Sequence, residues 1–245
     1  MKIAYLIPSV ISPTNQPLTY NTVRSVFSED ERLRQTVMTV ACIDKICSAD
    51  STIFLIDNSA NWKDYQQFFS YQKNLSFISI LKFFPNIHTI INCHPNKSLG
   101  ESLLLTNFLT EFKEELKQYD VFVKLVGRYF LDSSFNTEIL NKSNIFFKKP
   151  YAFEWQDWWG YEMVRINENI LKQYNSALFA WGANNYDYML NLFEKISLLL
   201  HNPQMHHYDL ETLLYFFTRE IDWNIIETDW IVYGWNAPTG KFVRD

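Results

Sequence analysis

Ser51-Thr52-Ile53-Phe54-Leu55-Ile56-Asp57-Asn58-Ser59 is the stretch that decides the fold class. Four large apolar residues in a row, too few for a helix, end in a polar triplet, and this reads as a buried strand with a polar tip. Working outward, Lys2 to Pro8 is a second short apolar strand, followed by an irregular segment from Ser9 to Tyr20 and a helical pattern from Glu29 to Cys47. Downstream, Trp62 to Gln72 reads as helix and Phe77 to Phe83 and Thr89 to Cys93 as short apolar runs. Glu101 to Lys117 is an amphipathic helix, and Val121 to Val126 is a further strand. Strands alternating with helices predict an α/β fold with a Rossmann-type, mainly parallel sheet flanked by helices. Ligands of such sheets bind beyond the carboxyl ends of the strands, here Pro8-Ser9, Asp57-Asn58-Ser59 and Gly127-Arg128.

Past Asp132 the pattern changes. Ile145-Phe146-Phe147 is apolar, Tyr151 to Tyr161 is rich in aromatics, and Glu162 to Ile166 reads as a strand. Helical patterns then cover Glu168 to Leu200, with a break near Trp181-Gly182, and His207 to Arg219. The tail from Asn224 to Tyr233 reads as a strand ahead of a loop. No repeat or clean linker divides residues 1–245, so they read as a single domain with two halves, 1–132 and a helix-rich 133–245.

Composition narrows the functions. Lys and Arg number 22 against 27 Asp and Glu, for a net charge of -5, which speaks against a nucleic-acid partner. Hydrophobic residues make up 47% and charged residues 20%, at a mean hydropathy of -0.18, so a full core is available. Only 6 glycines occur, leaving little room for Gly-rich phosphate loops. Cys42, Cys47 and Cys93 form no C-x-x-C pair. With no apolar run near about 20 residues and no leader-like opening, they point to a cytoplasmic protein.

Several residues are placed for chemistry. Asp57 and Asn58 at a strand end suit hydrogen bonding to a nucleotide or ribose, and equally an Asx-turn or helix cap. Asn96-x-x-x-Gly100-Glu101 precedes a helix, as an anion-binding helix start or as a plain capping loop. Lys124-Leu125-Val126-Gly127-Arg128 carries a fixed cation to a strand end, for phosphate contact or for a structural ion pair. Asp209 and Glu211 open a helix, where they serve as a base or simply answer the helix dipole. His206-His207 lacks the spacing of a metal site. Glu154, Trp155, Asp157 and Trp158 suit sugar stacking and hydroxyl binding, or core packing.

The order of these motifs resembles GT-A type glycosyltransferases, in particular bacterial surface-polysaccharide sugar transferases, and Arg24-Ser25-Val26-Phe27-Ser28 with Glu31-Arg32-Leu33 adds to the likeness. The resemblance implies a GT-A-like fold with a nucleotide-sugar-binding half (1–132) and an acceptor and catalytic half (133–245). It implies transfer of a sugar from a nucleotide-sugar donor to a glycan or lipid-linked saccharide acceptor, with peripheral membrane contact. Pro8, Ser9, Arg24, Asp57, Asn58, Asn96, Gly100, Lys124, Gly127 and Arg128 would bind the donor. Glu154, Trp155 and Trp158 would bind the acceptor, and Glu211, then Asp209, then Asp157, would supply the base. Val126-Gly127-Arg128 stands where such enzymes often carry Asp-x-Asp, so no divalent metal or other cofactor is expected, with Arg128 neutralising the diphosphate. The alternative is a glycan-binding module without turnover on the same fold.

Overall fold

Short runs that are apolar at nearly every position can bury both of their faces, and three of them, at 3–9, 52–57 and 121–125, lie side by side in parallel within the sheet. A computed structural model describes residues 1–19, 21–152, 172–206, 208–219 and 224–244. In chain order the elements are β1 (Ile3–Ser9), α1 (Glu29–Asp44), β2 (Thr52–Asp57), α2 (Trp62–Gln66), β3 (Leu75–Ser79), α3 (Ile80–Phe83) and α4 (Pro85–Cys93). They continue with α5 (Lys97–Glu111), α6 (Lys113–Leu116), β4 (Val121–Leu125), β5 (Tyr129–Leu131), β6 (Ile145–Lys148), β7 (Tyr151–Ala152) and β8 (Lys172–Gln173). The last are β9 (Leu178–Gly182), α7 (Tyr186–Leu200), α8 (Leu210–Thr218), β10 (Ile225–Thr228), β11 (Val232–Trp235) and β12 (Phe242–Arg244).

Among the described residues the main sheet has the order β10-β6-β9-β4-β1-β2-β3. β1 pairs in parallel with both β2 and β4, and β2 with β3, while β9 runs antiparallel between β4 and β6. The fold is therefore α/β with a mainly parallel mixed sheet flanked by helices, compatible with a Rossmann-like arrangement. The sheet takes β1 to β4 from the first 132 residues and β6, β9 and β10 from the remainder. A small antiparallel sheet, β12-β11-β5, stands beside it.

Period-two alternation divides the core. Ala4, Leu6, Phe54, Ile56 and Phe122 face one side, under Leu104, Leu105, Phe108 and Leu109 of α5 and Met189, Phe193 and Ile196 of α7. Ile3, Tyr5, Ile7, Ile53, Leu55, Val121 and Val123 face the other, with Val40 and Ile43 of α1. Each such side chain, fully buried, contributes about 1.5–3 kcal/mol. α1 starts in a capping box: the Glu31 amide donates to Ser28 Oγ at 3.3 Å and the Ser28 amide to Glu31 Oε2 at 2.8 Å. This satisfies two donors that a helix start otherwise leaves open.

The structure corrects several expected elements. Phe77–Phe83 is the end of β3 followed by one turn of helix, and Thr89–Cys93 belongs to α4, whose Pro85 sits in the first turn. Proline is well suited there because that position needs no amide donor. α5 begins at Lys97, four residues before the expected Glu101, because Asn96 caps it. The helical pattern expected over 168–200 contains β9, and among the described residues its α-helix is Tyr186–Leu200, entered through a 3-10 turn at Ala183–Asn185. The tail strand is two strands, β10 and β11. The expected strand at 162–166 and the sites at Glu154, Trp155, Asp157 and Trp158 lie outside the described residues. Among the described residues no helix is long and apolar enough to cross a membrane.

Candidate functional site

The carboxyl ends of β1, β2 and β4 and the start of the antiparallel β9 meet at one edge of the sheet. A cavity of about 420 Å³ opens there, between the first turn of α5, the segment after β4, the approach to β9 and the first turn of α8. Among the described residues its charged lining is Lys97, Glu101, Arg128, Asp209 and Glu211.

Local sequence explains how the two helix starts are fixed. Asn96 accepts from the Leu99 amide at 2.9 Å and so caps α5, while its Nδ2 donates to the carbonyls of His206 at 2.7 Å and Tyr208 at 2.9 Å. Ser98 Oγ accepts from the Leu210 amide at 2.9 Å. One capping segment therefore stitches α5 to the chain entering α8. Asp209 caps α8 through a 2.7 Å bond from the Thr212 amide. His206 packs edge-on against His94, ring centres 4.5 Å apart, and burial lowers the pKa of both.

Beneath the cavity floor Lys124 is fully buried. It forms an ion pair with Glu101, donates to the Ser176 carbonyl and lies 5.3 Å from the Phe179 ring centre. A buried cation needs such compensation to remain charged. Ser176 Oγ donates to Glu211 Oε1. Glu211 is nevertheless pushed up to about 7, first by burial and then by the neighbouring Asp209 carboxylate, with Ser176 pulling in the opposite direction. Burial raises Asp209 too. Two acids that repel each other titrate as a pair, and with Glu211 pushed up to about 7 its carboxyl can accept or release a proton at ordinary pH.

The expected site residues separate into groups. Asn96, Arg128, Asp209 and Glu211 line this cavity, and Lys124 lies just below it through Glu101. Arg24 lines a second cavity of about 380 Å³ and braces the end of α4 by donating to the carbonyls of Ile91 and His94. Asp57 and Asn58 have no exposed surface. Asp57 accepts from the amides of Ile11 at 3.1 Å and Ser59 at 2.8 Å, and Asn58 bonds to Asn92 and His88. Pro8 and Ser9 receive the amides of Gly127 and Asn58. Gly100 packs against Ile91, where an added Cβ would stand 3.3 Å from Cγ2, and Gly127 packs against Ile7 and Ser9.

Lys97 and Ser176 also belong to the site and were absent from the residues expected to form it, and Glu101 was expected only as the end of the Asn96-x-x-x-Gly100-Glu101 helix start. Lys97 and Glu101 stand four apart at a helix start, a spacing that puts them on one face. Ser176 carries no local signal, since only the sheet pairing of β9 brings it beside Glu211.

No family model matches the chain. Over 107 residues, 43% of its length, it is 29% identical to the polyamine aminopropyltransferases of three strains of Buchnera aphidicola subsp. Acyrthosiphon pisum, Tuc7, 5A and APS. The chain spans about a third of the length of these relatives, 33%.

That similarity overturns the glycosyltransferase expectation, together with its nucleotide-sugar donor, its glycan or lipid-linked acceptor and its place in polysaccharide synthesis. The glycan-binding alternative loses its support as well, for its Trp-rich stretch lies outside the described residues. The motifs behind the resemblance have other physical accounts: Asp57-Asn58-Ser59 is a closed turn, Asn96 a cap and Lys124 half of a buried ion pair.

Proposed function

We propose that the chain is a small-molecule transferase whose cavity at the sheet edge receives an amine and passes it a carbon group, as in aminopropyl transfer. The observation that carries this is the Asp209–Glu211 pair, two partly buried acids in a cavity with Glu211 at about 7. The name of the Buchnera relatives, polyamine aminopropyltransferase, supports the same chemistry.

An ammonium entering the cavity meets two carboxylates that repel each other, and their repulsion falls as it binds. The rings of Tyr129, Tyr151 and Tyr208, also in the lining, add favourable faces for a cation. Once ionised, Glu211 takes a proton from the ammonium and frees the nitrogen lone pair. The nitrogen then forms a bond to the donor carbon, whose bond to its leaving group breaks with the electron pair going to that group. Ser176 and the α8 cap hold the acids in place for this step.

Titration calorimetry with putrescine and spermidine tests the reading. Affinity should rise as pH passes upward through about 7, where Glu211 ionises, and Glu211→Gln should lower it about ten-fold or more. Absence of binding by either amine at millimolar concentration would end the proposal.

A further inference from the structure

Lys124 is the one charged residue of a strand that is otherwise Val, Phe, Val and Leu, and its side chain has no exposed surface. Alternation along β4 puts it on the face of Phe122, under α5, where Glu101 of that helix forms an ion pair with it. Packing alone does not call for a charge there, because apolar residues of similar volume often serve a buried position as well as an ion pair does, or better. What sets the position apart is what lies above it. Glu101 lines the cavity with Asp209 and Glu211, and its charge is one of the influences that raise Glu211. Lys124 also donates to the Ser176 carbonyl, and the Ser176 hydroxyl donates to Glu211. One buried cation therefore holds two of the groups that act on Glu211.

We propose that Lys124 is a positioning residue for the proton transfer at Glu211: from beneath the floor it neutralises Glu101, leaving two free acids in the cavity in place of three, and it holds Ser176 where its hydroxyl meets Glu211. This rests on the amine reading above and deepens it, by naming what regulates the base. Besides the three phenols of the lining, the titratable and charged groups around Glu211 are Asp209 on α8, Glu101 and Lys97 on α5, Lys124 on β4 and Arg128 after it, with Arg128 Nε donating to the Trp235 carbonyl at 3.4 Å. Of these only Lys124 is paired with Glu101 by an ion pair among the described residues. Without it three carboxyls share their protons, and the last to ionise does so at a higher pH.

The test follows the carboxyl carbons of the full chain by NMR from pH 4 to pH 9, taking the last midpoint as the one that disappears in Glu211→Gln. In the wild type it should lie at about 7. Lys124→Met should raise it by about one unit, and adding Glu101→Gln to that variant should return it most of the way, a rescue that a purely structural lysine would not show. Glu101→Gln alone, which leaves the strand untouched and keeps the test open if Lys124→Met does not fold, should lower it by about half a unit. Putrescine affinity at pH 7 should fall about five-fold in Lys124→Met and recover at pH 9, where Glu211 is ionised with or without the lysine. A midpoint unmoved by Glu101→Gln, or a rise in Lys124→Met that persists in full in the double variant, overturns the proposal. Midpoints that move as expected, with putrescine bound at no pH, would sink the amine reading and leave the hold of Lys124 on Glu211 in place.

Discussion

Two polar clusters lie at the same edge of the sheet, and they are built on opposite principles. Around Asp57 every partner is internal: backbone amides of Ile11 and Ser59 meet the carboxylate, and Asn58, His88 and Asn92 close a ring of bonds of 3.1–3.2 Å. Around Glu211 the partners run out among the described residues, leaving two repelling acids and a lysine with no hydrogen bond or ion pair to them facing a cavity. A saturated network of buried polar groups specifies structure, whereas an unsaturated one stores a demand that a ligand can meet. Polar residues at strand ends therefore reveal function only through what they leave unsatisfied.

The sharpest way to break this contrast is to exchange the consequences of mutating each centre. Asp57→Ala strands two buried amide donors, each costing about 1–3 kcal/mol, so the chain should lose about 3 kcal/mol in urea unfolding. Ligand affinity measured on the remaining folded fraction should change little. Glu211→Gln should do the reverse. Its folded-state pKa of about 7 lies above the unfolded value of 4.5, so the stability it contributes is present below that unfolded value and lost as pH rises through 7. Above pH 7 Glu211→Gln should accordingly be more stable than wild type by about 1–2 kcal/mol, while binding the amine worse. If Asp57→Ala abolished binding at full stability, the closed and open labels would have to be exchanged.

A smaller effect sharpens the comparison from within the open cluster. The Ser176 hydroxyl stabilises the charged form of Glu211, so Ser176→Ala should move the pH midpoint of amine binding upward by about half to one unit. A midpoint that stays in place would mean that Ser176 is only a wall of the cavity.

The fold was legible wherever the chain alternated buried runs with polar punctuation. β1, β2 and β4 announce themselves, and the Ser28–Glu31 box marks the start of α1. β9 was hidden because Leu178-Phe179-Ala180-Trp181 is buried on both faces, so no period-two signal separates it from the helical stretch that follows. The short runs between 77 and 93 failed for a different reason: each is too short for a period to show, although most of their residues are half-buried or exposed. In the site, Asn96, Arg128, Asp209 and Glu211 could be picked out as polar residues at element ends. Their grouping could not, because the Asn96 clamp on residues 206 and 208 spans 110 and 112 positions of chain. The same residue types at Asp57 and Asn58 looked equally functional in sequence, and only the count of satisfied partners told the clusters apart.

The histidines and the raised carboxylates of the two clusters should also respond to acid with opposite signs. In the closed ring Asn92 Nδ2 lies 3.1 Å from His88 Nε2, and His88 Nδ1 lies 3.2 Å from Asn58 Oδ1. With the Asn92 amide as donor, Nε2 must accept and Nδ1–H must donate, which is the neutral imidazole. Burial lowers the His88 pKa from 6.5, so the folded state binds a proton less readily than the unfolded one. The stability it contributes is present above 6.5 and lost as pH falls through the lower folded value. His94 and His206 are lowered as well and act in the same direction, while Glu211, Asp209 and Asp57, all raised, act in the other. In the wild type the two slopes overlap between 4.5 and 7 and partly cancel. Glu211→Gln should uncover the histidine slope, with stability falling as the solution is acidified. His88→Asn should weaken that slope by less than about 1 kcal/mol, leaving the rest to the His94–His206 pair. Urea midpoints of the wild type, Glu211→Gln and the double variant at a series of pH values decide it. An acid slope in Glu211→Gln that is identical with and without His88 would show that the ring around Asn58 accommodates the imidazolium, and is less closed than its geometry indicates.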